Sequence, residues 1–407
     1  MKLIDVIAQW IPGDWGNEQT SAEAPVAVHC IRSADIAPIY QYSFDTAVIR
    51  YISEKSLSKC QLSEGDIIVE KSGGTDTCST GRVIFVTKEI LEKNTPLVCS
   101  NFCSAFKVKD GWNAKYIYYY LQLIHKSGVF HNFEGKTSGI HNLLINAAYS
   151  SIDIPEISYT EQCRIVDVLS TIESEIALNH CINKQLEQTA RDLYDYWFLQ
   201  FDFPDANGNP YRASGGAMTY NATLKREIPV GWEVKRLDNF VELFTGKKDV
   251  SKIIPGPYKF FSCAPLPIPS STYISDGPLI MVSGNGSYTG RVLYYNGKCD
   301  LYQRTYGCRM KKGYESFLPF IYYSLLLQFQ PIFTGGKHGS AIPYIVLNDL
   351  AGFSMIINED VVSRFCAVIK DSFALSNEYC MEEISRLMSL RDQLLPLLMN
   401  GQATITE

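Results

Sequence analysis

Residues 158–203 read SYTEQCRIVDVLSTIESEIALNHCINKQLEQTARDLYDYWFLQFDF. The stretch contains neither proline nor glycine, so it predicts one long helix with Thr160 as its N-cap. Its apolar residues recur at alternating steps of four and three, which is typical of a coiled-coil seam. The predicted seam consists of Ile165, Leu169, Ile172, Ile176, Asn179, Asn183, Leu186, Leu193 and Trp197.

A helix of this length needs a partner. Forty helical residues span about 60 Å, and such a rod cannot bury its own apolar seam. Residues 361–395 again lack proline and glycine and carry apolar residues at helical spacing, with Pro396 and Gly401 predicted to end the helix. At the two central seam positions, Asn179 and Asn183 are expected to fix the register or the partner at a cost in stability.

Short matching segments indicate an internal repeat. The sequence TGRV occurs at 80–83 and again at 289–292, and the polar loop at 136–140 resembles residues 338–342. Arg-Asp pairs lie at matching places near the end of both predicted helices, at 191–192 and 391–392. Several matches in the same order predict two similar halves, each followed by a long helix.

The charge distribution separates the helices from the rest of the chain. The formal net charge is −6, which argues against indiscriminate nucleic-acid binding. Residues 204–357 carry 16 basic and 10 acidic side chains, whereas residues 156–203 carry 3 and 9. The segments outside the helices are therefore the ones expected to approach phosphates.

Other features of the composition bound the class of protein. The twelve cysteines include no Cys-x2-Cys pair, so we expect reduced, mostly structural thiols and no metal site. There is no apolar run of 18 residues, and the N-terminus does not resemble a signal peptide. These observations predict a cytoplasmic protein that does not interact with a membrane.

Polar loops that contain glycine supply the candidate binding residues. The loop at 71–77 follows a predicted strand and offers phosphate donors, although it lacks the Walker pattern and could equally be a plain hairpin. A helix rich in aromatic residues is predicted at 114–124, and such a helix is more typical of a protein core than of a surface that stacks on bases.

Arg82 and Arg291 occupy matching positions in the two halves, so they could stabilise the fold instead of contacting a ligand. The candidates for DNA binding are Lys71, Ser72, Thr75, Arg82, Lys136, Ser138 and Asn142 in the first half, and Ser283, Asn285, Arg291, Gln303, Arg304, Lys337 and His338 in the second.

Two motifs resemble a known family. The segments YTEQCRIV at 159–166, LNHCIN at 178–183 and WFLQFD at 197–202 resemble the central region of the DNA-specificity (S) subunit of Type I restriction-modification systems. The segment IPVGWEVKRL at 228–237 resembles the phrase that opens a target-recognition domain in that family. The first half begins without such a phrase.

The resemblance implies an α+β fold. Two strand-rich, mixed α/β target-recognition domains (1–157 and 204–357) would be separated by a pair of long antiparallel coiled-coil helices (158–203 and 358–407). Each domain would read one half of a bipartite, asymmetric site in double-stranded DNA, and the helices would set the spacing and dock two adenine methyltransferase subunits. Restriction/translocase subunits would complete the complex, and S-adenosylmethionine, ATP and magnesium would be used by these partners and not bound here.

Two other classes of function compete with this interpretation. A coiled-coil adaptor that binds only proteins would explain the helices but not the matched, basic loops. An enzyme would need a catalytic motif, yet the sequence contains no Asp/Asn-Pro-Pro-Tyr/Phe methyltransferase motif and no histidine pair at metal-ligand spacing. We therefore predict no catalytic residue.

Overall fold

The computed structural model describes residues 1–75, 78–137, 140–222, 224–334, 344–403 and 405, with only the backbone described at 136, 137, 140 and 334. The chain forms two compact units. Unit 1 comprises Met1–His180 and Ile384–Glu407, and unit 2 comprises Cys181–Glu383. Each unit therefore contains one strand-rich segment and part of both long helical segments.

Unit 1 is built from short strands with helices between them. Its described strands are β1 (Ile7–Pro12), β2 (Val26–Ile31), β3 (Val48–Ile52), β4 (Ile67–Glu70), β5 (Ser72–Gly74), β6 (Val83–Phe85), β7 (Leu97–Cys99), β8 (Cys103–Val108), β9 (Glu134–Thr137) and β10 (Ile140–Leu143). The helices of its strand-rich segment are α1 (Ile36–Tyr40), α2 (Glu54–Cys60), α3 (Lys88–Lys93), α4 (Ala114–Lys126) and α5 (Ile145–Ser151). The long helix α6 (Tyr159–Tyr194) begins in this unit.

The strand-rich segment of unit 2 follows α6. Its described strands are β11 (Met218–Asn221), β12 (Arg226–Pro229), β13 (Glu233–Arg236), β14 (Val241–Thr245), β15 (Tyr258–Phe261), β16 (Ile268–Ser270), β17 (Pro278–Ser283), β18 (Val292–Asn296), β19 (Cys299–Leu301), β20 (Thr305–Met310) and β21 (Ser354–Ile357). Its helices are α7 (Leu318–Ser324), α8 (Gln330–Thr334) and α9 (Leu347–Ala351), and then come α10 (Glu359–Ala374) and α11 (Met381–Met399).

The two units share a sheet topology. A four-stranded antiparallel sheet has the order β1-β8-β4-β6 in unit 1 and β14-β20-β17-β18 in unit 2. Each unit also contains an equivalent three-stranded sheet, with the order β3-β2-β7 in unit 1 and β16-β15-β19 in unit 2. In both of these sheets the central strand has one antiparallel and one parallel neighbour. Strand order and direction thus repeat as the matched sequence segments predict.

Burial on both faces explains the composition of the central strands. Ile67, Ile68 and Val69 of β4 are fully buried, as are Ile280 and Met281 of β17. Continuous apolar runs of this kind are typical of strands covered on both faces. In unit 1, residues 116–121 of the aromatic helix α4 are buried. The helix therefore belongs to the core, as the sequence predicts, and does not form a surface for stacking on bases.

The first long helix begins one residue earlier than its predicted cap. The Ser158 hydroxyl accepts a hydrogen bond from the Glu161 amide at 3.2 Å, so Ser158 caps the first turn of the helix. Thr160 lies inside the helix. After Tyr194 the helix continues as a π-helical turn to Leu199. Helical structure therefore ends four residues before the predicted end at 203.

The second long helix is longer than predicted. It begins at Glu359, where the Asn358 side chain accepts hydrogen bonds from two backbone amides, and continues through a π-helical segment at 375–380 to Met399. The prediction that Pro396 ends it is wrong. Proline removes one helical hydrogen bond, but the buried side chains on both sides, Leu395 and Leu398, hold the backbone in place. Gly401, with a φ of +66°, follows the helix end.

The two long helices pair in antiparallel fashion within each unit. In unit 1, Ile172 and Ile176 of α6 share a buried cluster with Ile384 and Leu387 of α11. In the same unit, the earlier α6 residue Ile165 shares a cluster with later residues of α11, Leu395 and Leu398.

In unit 2 the seam contains a polar contact. The Ser376 hydroxyl donates to Asn183 Oδ1, and Asn183 Nδ2 lies 3.5 Å from the Met381 sulfur. Towards the end of α6, Trp197 packs against Phe365 with ring centroids 5.8 Å apart. Asn179 in unit 1 instead donates to the Glu175 carbonyl of its own helix at 2.9 Å. Of the two predicted polar seam residues, Asn183 is therefore the one that bonds across to the other helix.

The fold class is confirmed. The structure is α+β, with two strand-rich regions and two long helical segments that pair antiparallel. In the part of the chain that is described, we find no helix long and apolar enough to cross a membrane.

Candidate nucleic-acid interface

A buried ion pair in unit 1 holds Arg82. The Arg82 Nε donates to Glu70 Oε2 at 2.8 Å, and Nη2 donates to Glu70 Oε1 at 2.5 Å. The Glu70 side chain is fully buried, and that of Arg82 is 21% exposed. The hydrogen bond to Glu70 raises the pKa of Arg82. Because its charge is neutralised inside the sheet, Arg82 has the environment of a structural residue.

The strand end next to this pair joins two other predicted residues. Ser72 of β5 lies opposite Asn142 of β10, and the Ser72 hydroxyl donates to Asn142 Oδ1. Gly73 has a φ of +142°, and a Cβ at that position would lie 2.5 Å from Glu70 Oε1. Only glycine fits there, because the backbone conformation and the close carboxylate both exclude a side chain. Lys71, which precedes β5, is partly exposed.

A cleft of about 530 Å³ opens beside these residues in unit 1. Phe102 at its edge is 57% exposed, and the Trp15 ring lies 3.9 Å from the guanidinium carbon of Arg50. The charge of Arg32 is balanced by Asp35 at 2.8 Å. Aromatic rings and neutral polar groups of this kind suit the faces and edges of bases better than phosphates. The unit 1 cleft is lined by Trp15, Arg32, Ser33, Ala34, Ser72, Gly73, Gly74, Ser100, Asn101 and Phe102.

The remaining unit 1 candidates lie on the β9–β10 hairpin and after β5. Thr75 is exposed and accepts a hydrogen bond from the Cys78 amide at 3.2 Å. The backbone of Lys136 lies on β9, opposite His141. Ser138 lies outside the described residues.

A carboxylate anchors this hairpin. Glu134 Oε1 accepts from the Thr80 amide at 2.6 Å, and Oε2 lies 2.9 Å from His141 Nδ1 and 3.3 Å from His131 Nδ1. Burial acts to raise the pKa of Glu134, but these donors outweigh burial and the pKa is lowered. The two histidines therefore have a carboxylate partner, which positions the strand that carries Asn142.

Unit 2 repeats the backbone of the arginine site with a different partner residue. The Ser283 amide donates to the Arg291 carbonyl at 3.0 Å, as the Glu70 amide donates to the Arg82 carbonyl at 2.9 Å. Ser283 is the last residue of β17, and Glu70 is the last residue of the equivalent strand β4. Serine thus occupies in unit 2 the position of the buried carboxylate in unit 1.

The adjacent turn shows the same equivalence. The Gly284 amide donates to the Arg304 carbonyl at 2.8 Å, as the Lys71 amide donates to the Phe102 carbonyl at 2.7 Å. Arg304 and Phe102 each precede the strand that pairs with β17 or β4. Both side chains are exposed, so equivalent positions present a cation in unit 2 and an aromatic ring in unit 1.

Arg291 is partly buried. Its Nη2 donates to the Ala264 carbonyl, and its guanidinium carbon lies 4.8 Å from the centroid of the Tyr288 ring. Arg291 Nε and Ser283 Oγ are both buried, and neither has a hydrogen-bond partner among the described residues. Burial lowers the pKa of Arg291.

The other unit 2 candidates are dispersed. Gln303 is exposed beside Arg304 in the turn before β20, and Asn285 forms an isolated bridge with Tyr344. Lys337 and His338 lie outside the described residues. The structure thus groups Ser283, Arg291, Gln303 and Arg304 around two neighbouring strand ends.

Comparison with known proteins identifies the kind of domain. Residues 30–188 match the family model described as the Type I restriction modification DNA specificity domain. Over these residues the chain is similar to type I DNA specificity domains. The match includes most of the central helix, so the resemblance noted from its sequence is confirmed.

Similarity to curated specificity subunits extends beyond residue 188. The chain is 24% identical over 409 residues to the Type I restriction enzyme MjaIX specificity subunit of Methanocaldococcus jannaschii, covering 90% of this chain and 85% of that protein. It is 29% identical over 186 residues to the EcoDI specificity subunit of Escherichia coli, covering 44% and 40%. The crystal structure of a Type I S subunit from M. genitalium has the same fold, with a TM-score of 0.59, 14% identity, and 100% and 96% of the two chains covered.

The matched DNA specificity domain contains every unit 1 candidate and most of the cleft. Sequence reasoning missed the cleft residues Trp15, Arg32, Asn101 and Phe102. One signal was available, since Phe102 is an aromatic residue between two short apolar stretches, which the structure shows to be β7 and β8. Trp15 and Arg32 gave no such signal, because only the folded sheet brings them to the same edge.

Proposed function

We propose that this chain recognises a bipartite, asymmetric DNA site and directs adenine methyltransferase and nuclease/translocase subunits to it. The strand-rich region of each unit reads one half-site. The observation that carries this proposal is that two copies of one sheet topology present different side chains at equivalent positions. Two similar scaffolds with unlike contact residues are what recognition of two unlike half-sites requires.

The two half-sites are read through different chemistry. In unit 1, the cleft edged by Trp15 and Phe102 favours contact with bases. In unit 2, Arg291 and Arg304 favour contact with phosphates or with acceptor groups on base edges.

The long helices set the spacing of the half-sites and dock two methyltransferase subunits. The helical segments are acidic, which suits contact with protein better than contact with DNA. Apolar side chains that are more than half exposed on these helices, among them Leu178, Val368 and Tyr379, support docking of a protein surface. S-adenosylmethionine, ATP and magnesium are used by the partner subunits, and the assembly works on DNA in the cytoplasm.

Methylation mapping tests this function directly. Adenine methylation would be mapped by single-molecule sequencing in cells that express the partner methyltransferase with and without this chain. We expect a new motif of two short defined blocks, separated by a fixed unread gap, only when the chain is present. A contiguous motif would contradict the bipartite model. No new methylation, with the methyltransferase shown to be bound, would favour the protein-only adaptor.

A matched pair of variants assigns each block to a unit. Phe102→Ala in unit 1 and Arg304→Ala in unit 2 change equivalent exposed positions. DNA footprinting of each variant on the methylated motif should show weakened protection over only one of the two blocks. If both variants altered the same block, the assignment of one half-site to each unit would be wrong.

A further inference from the structure

The arginine of unit 2 has lost the carboxylate that its counterpart has in unit 1. Glu70 and Ser283 hold the same backbone position, and each bonds through its amide to the carbonyl of the arginine. In unit 1, two charge-assisted hydrogen bonds join Arg82 to Glu70. A carboxylate in place of Ser283 would reach Arg291 in the same way, yet none of the described carboxylates forms an ion pair with Arg291.

An uncompensated, partly buried cation is costly to a folded protein. Arg291 Nε is buried and has no partner among the described residues, and the hydroxyl of Ser283, on the paired strand, is buried and likewise unpartnered. Burial lowers the pKa of Arg291, which shows that its surroundings disfavour the charge. A bound anion would offset this charge.

The guanidinium group is nevertheless held in a fixed position. Its Nη2 donates to the Ala264 carbonyl, and its central carbon lies over the Tyr288 ring. The neighbouring Cys263 thiol lies 3.4 Å from the Arg304 carbonyl, so the turn at 263–264 contacts both arginines. Two cations are thus placed on one edge of the unit 2 sheet, in a segment with an excess of basic residues.

We propose that Arg291 and Arg304 form a binding site for a DNA backbone phosphate in unit 2, whereas Arg82 in unit 1 is structural. This inference rests on the proposed DNA-recognition function. A phosphate is favoured over a guanine edge because one pair of parallel donors with which arginine reads guanine, Nε and Nη2, is unavailable: Nε is buried and Nη2 donates to Ala264. The Nη1 amine can give a charge-assisted hydrogen bond to a phosphate oxygen.

The test restores the unit 1 arrangement in unit 2. Ser283→Glu in the full chain should pair with Arg291 and neutralise it. The matched control is Ser214→Glu, which adds the same charge at an exposed position away from the sheet. Binding to duplex DNA that carries the methylated motif would be measured by fluorescence anisotropy at several salt concentrations, together with the thermal midpoint of each variant.

The expected result has two parts. Ser283→Glu should lower the affinity roughly tenfold and reduce the slope of log K against log salt by about one, as loss of a single phosphate contact does. Its thermal midpoint should stay the same or rise. Ser214→Glu should change neither quantity. Arg291→Gln should show the same loss of affinity and slope, which keeps the test valid if Ser283→Glu fails to fold.

Three outcomes would overturn the inference. Unchanged affinity and slope in both Ser283→Glu and Arg291→Gln would show that Arg291 does not contact DNA. An unchanged slope with one base of the motif relaxed would show that Arg291 reads a base. If the unmodified chain showed no preference for the methylated motif, the proposed function itself would fail, and this inference with it.

Discussion

Unit 1 and unit 2 each have an arginine at the equivalent position of their four-stranded sheets, but the residues around the two arginines differ. In unit 1, Arg82 forms two hydrogen bonds with Glu70, which is fully buried. In unit 2, Ser283 stands in the place of Glu70, and Arg291 keeps its charge without a carboxylate partner among the described residues. A duplicated scaffold can therefore convert a structural cation into a ligand-binding one by a change at a neighbouring position.

The turn next to the arginine site is also more cationic in unit 2 than in unit 1. Unit 1 presents Phe102 at the edge of a cleft with little net charge, and unit 2 presents Arg304 at the equivalent position. The backbone hydrogen bonds that place the two residues agree within 0.1 Å, at 2.7 and 2.8 Å. Recognition can therefore diverge between the units while the sheet that supports it stays the same.

The largest expected effect comes from removing each arginine. Arg82→Met leaves the Glu70 carboxylate buried without a cation, so we expect a loss of about 3–5 kcal/mol in the free energy of unfolding at neutral pH. Arg291→Met leaves no buried carboxylate behind and should cost far less. Calorimetry of the two full-length variants measures this difference. Equal losses for Arg82→Met and Arg291→Met would contradict the contrast between the two sites.

The exposed turn residues should affect DNA binding and not stability. Phe102→Ala should weaken binding to the cognate duplex by about 1–3 kcal/mol, without changing the salt dependence, because it removes a stacking surface. Arg304→Ala should weaken binding and also reduce the salt slope by about one, because it removes a phosphate contact. Anisotropy titrations at several salt concentrations separate the two cases. A change of slope in Phe102→Ala would show that the unit 1 cleft does not bind bases by stacking.

The smallest expected effect concerns the polar residues of the helix seam. Asn183→Leu removes the acceptor of the buried Ser376 hydroxyl and should cost about 1 kcal/mol. Asn179→Leu breaks only a bond within its own helix and should not destabilise the chain. Urea unfolding of both variants measures the difference. The double variant Asn183→Leu with Ser376→Ala should recover the loss, and no recovery would show that the Ser376 contact is not responsible.

Much of the architecture could be predicted because it depends on local patterns. The spacing of apolar residues in 158–203 is sufficient to predict a long helix with a buried seam, and Ile165, Leu169, Ile172 and Ile176 are all buried. The end of the second helix could not be predicted from Pro396, since packing around Leu395 and Leu398 overrides the local preference of proline. Local signals thus determine which elements form, and packing decides where they end.

The candidate site was predictable only in part. Repetition of TGRV at 80–83 and 289–292 identified both arginines from sequence. Their partners could not be found in this way, because the loop between Glu70 and Arg82 is longer than the loop between Ser283 and Arg291, so no constant offset aligns the two partner positions.

The sequence by itself determined the repeat, the long helices and the family to which the central helix is similar. Only the tertiary structure decided which arginine is neutralised and which is available to an anion. The reason is physical: the charge state of an arginine site depends on the side chain opposite it in the folded sheet, and strand pairing, not distance along the chain, selects that side chain.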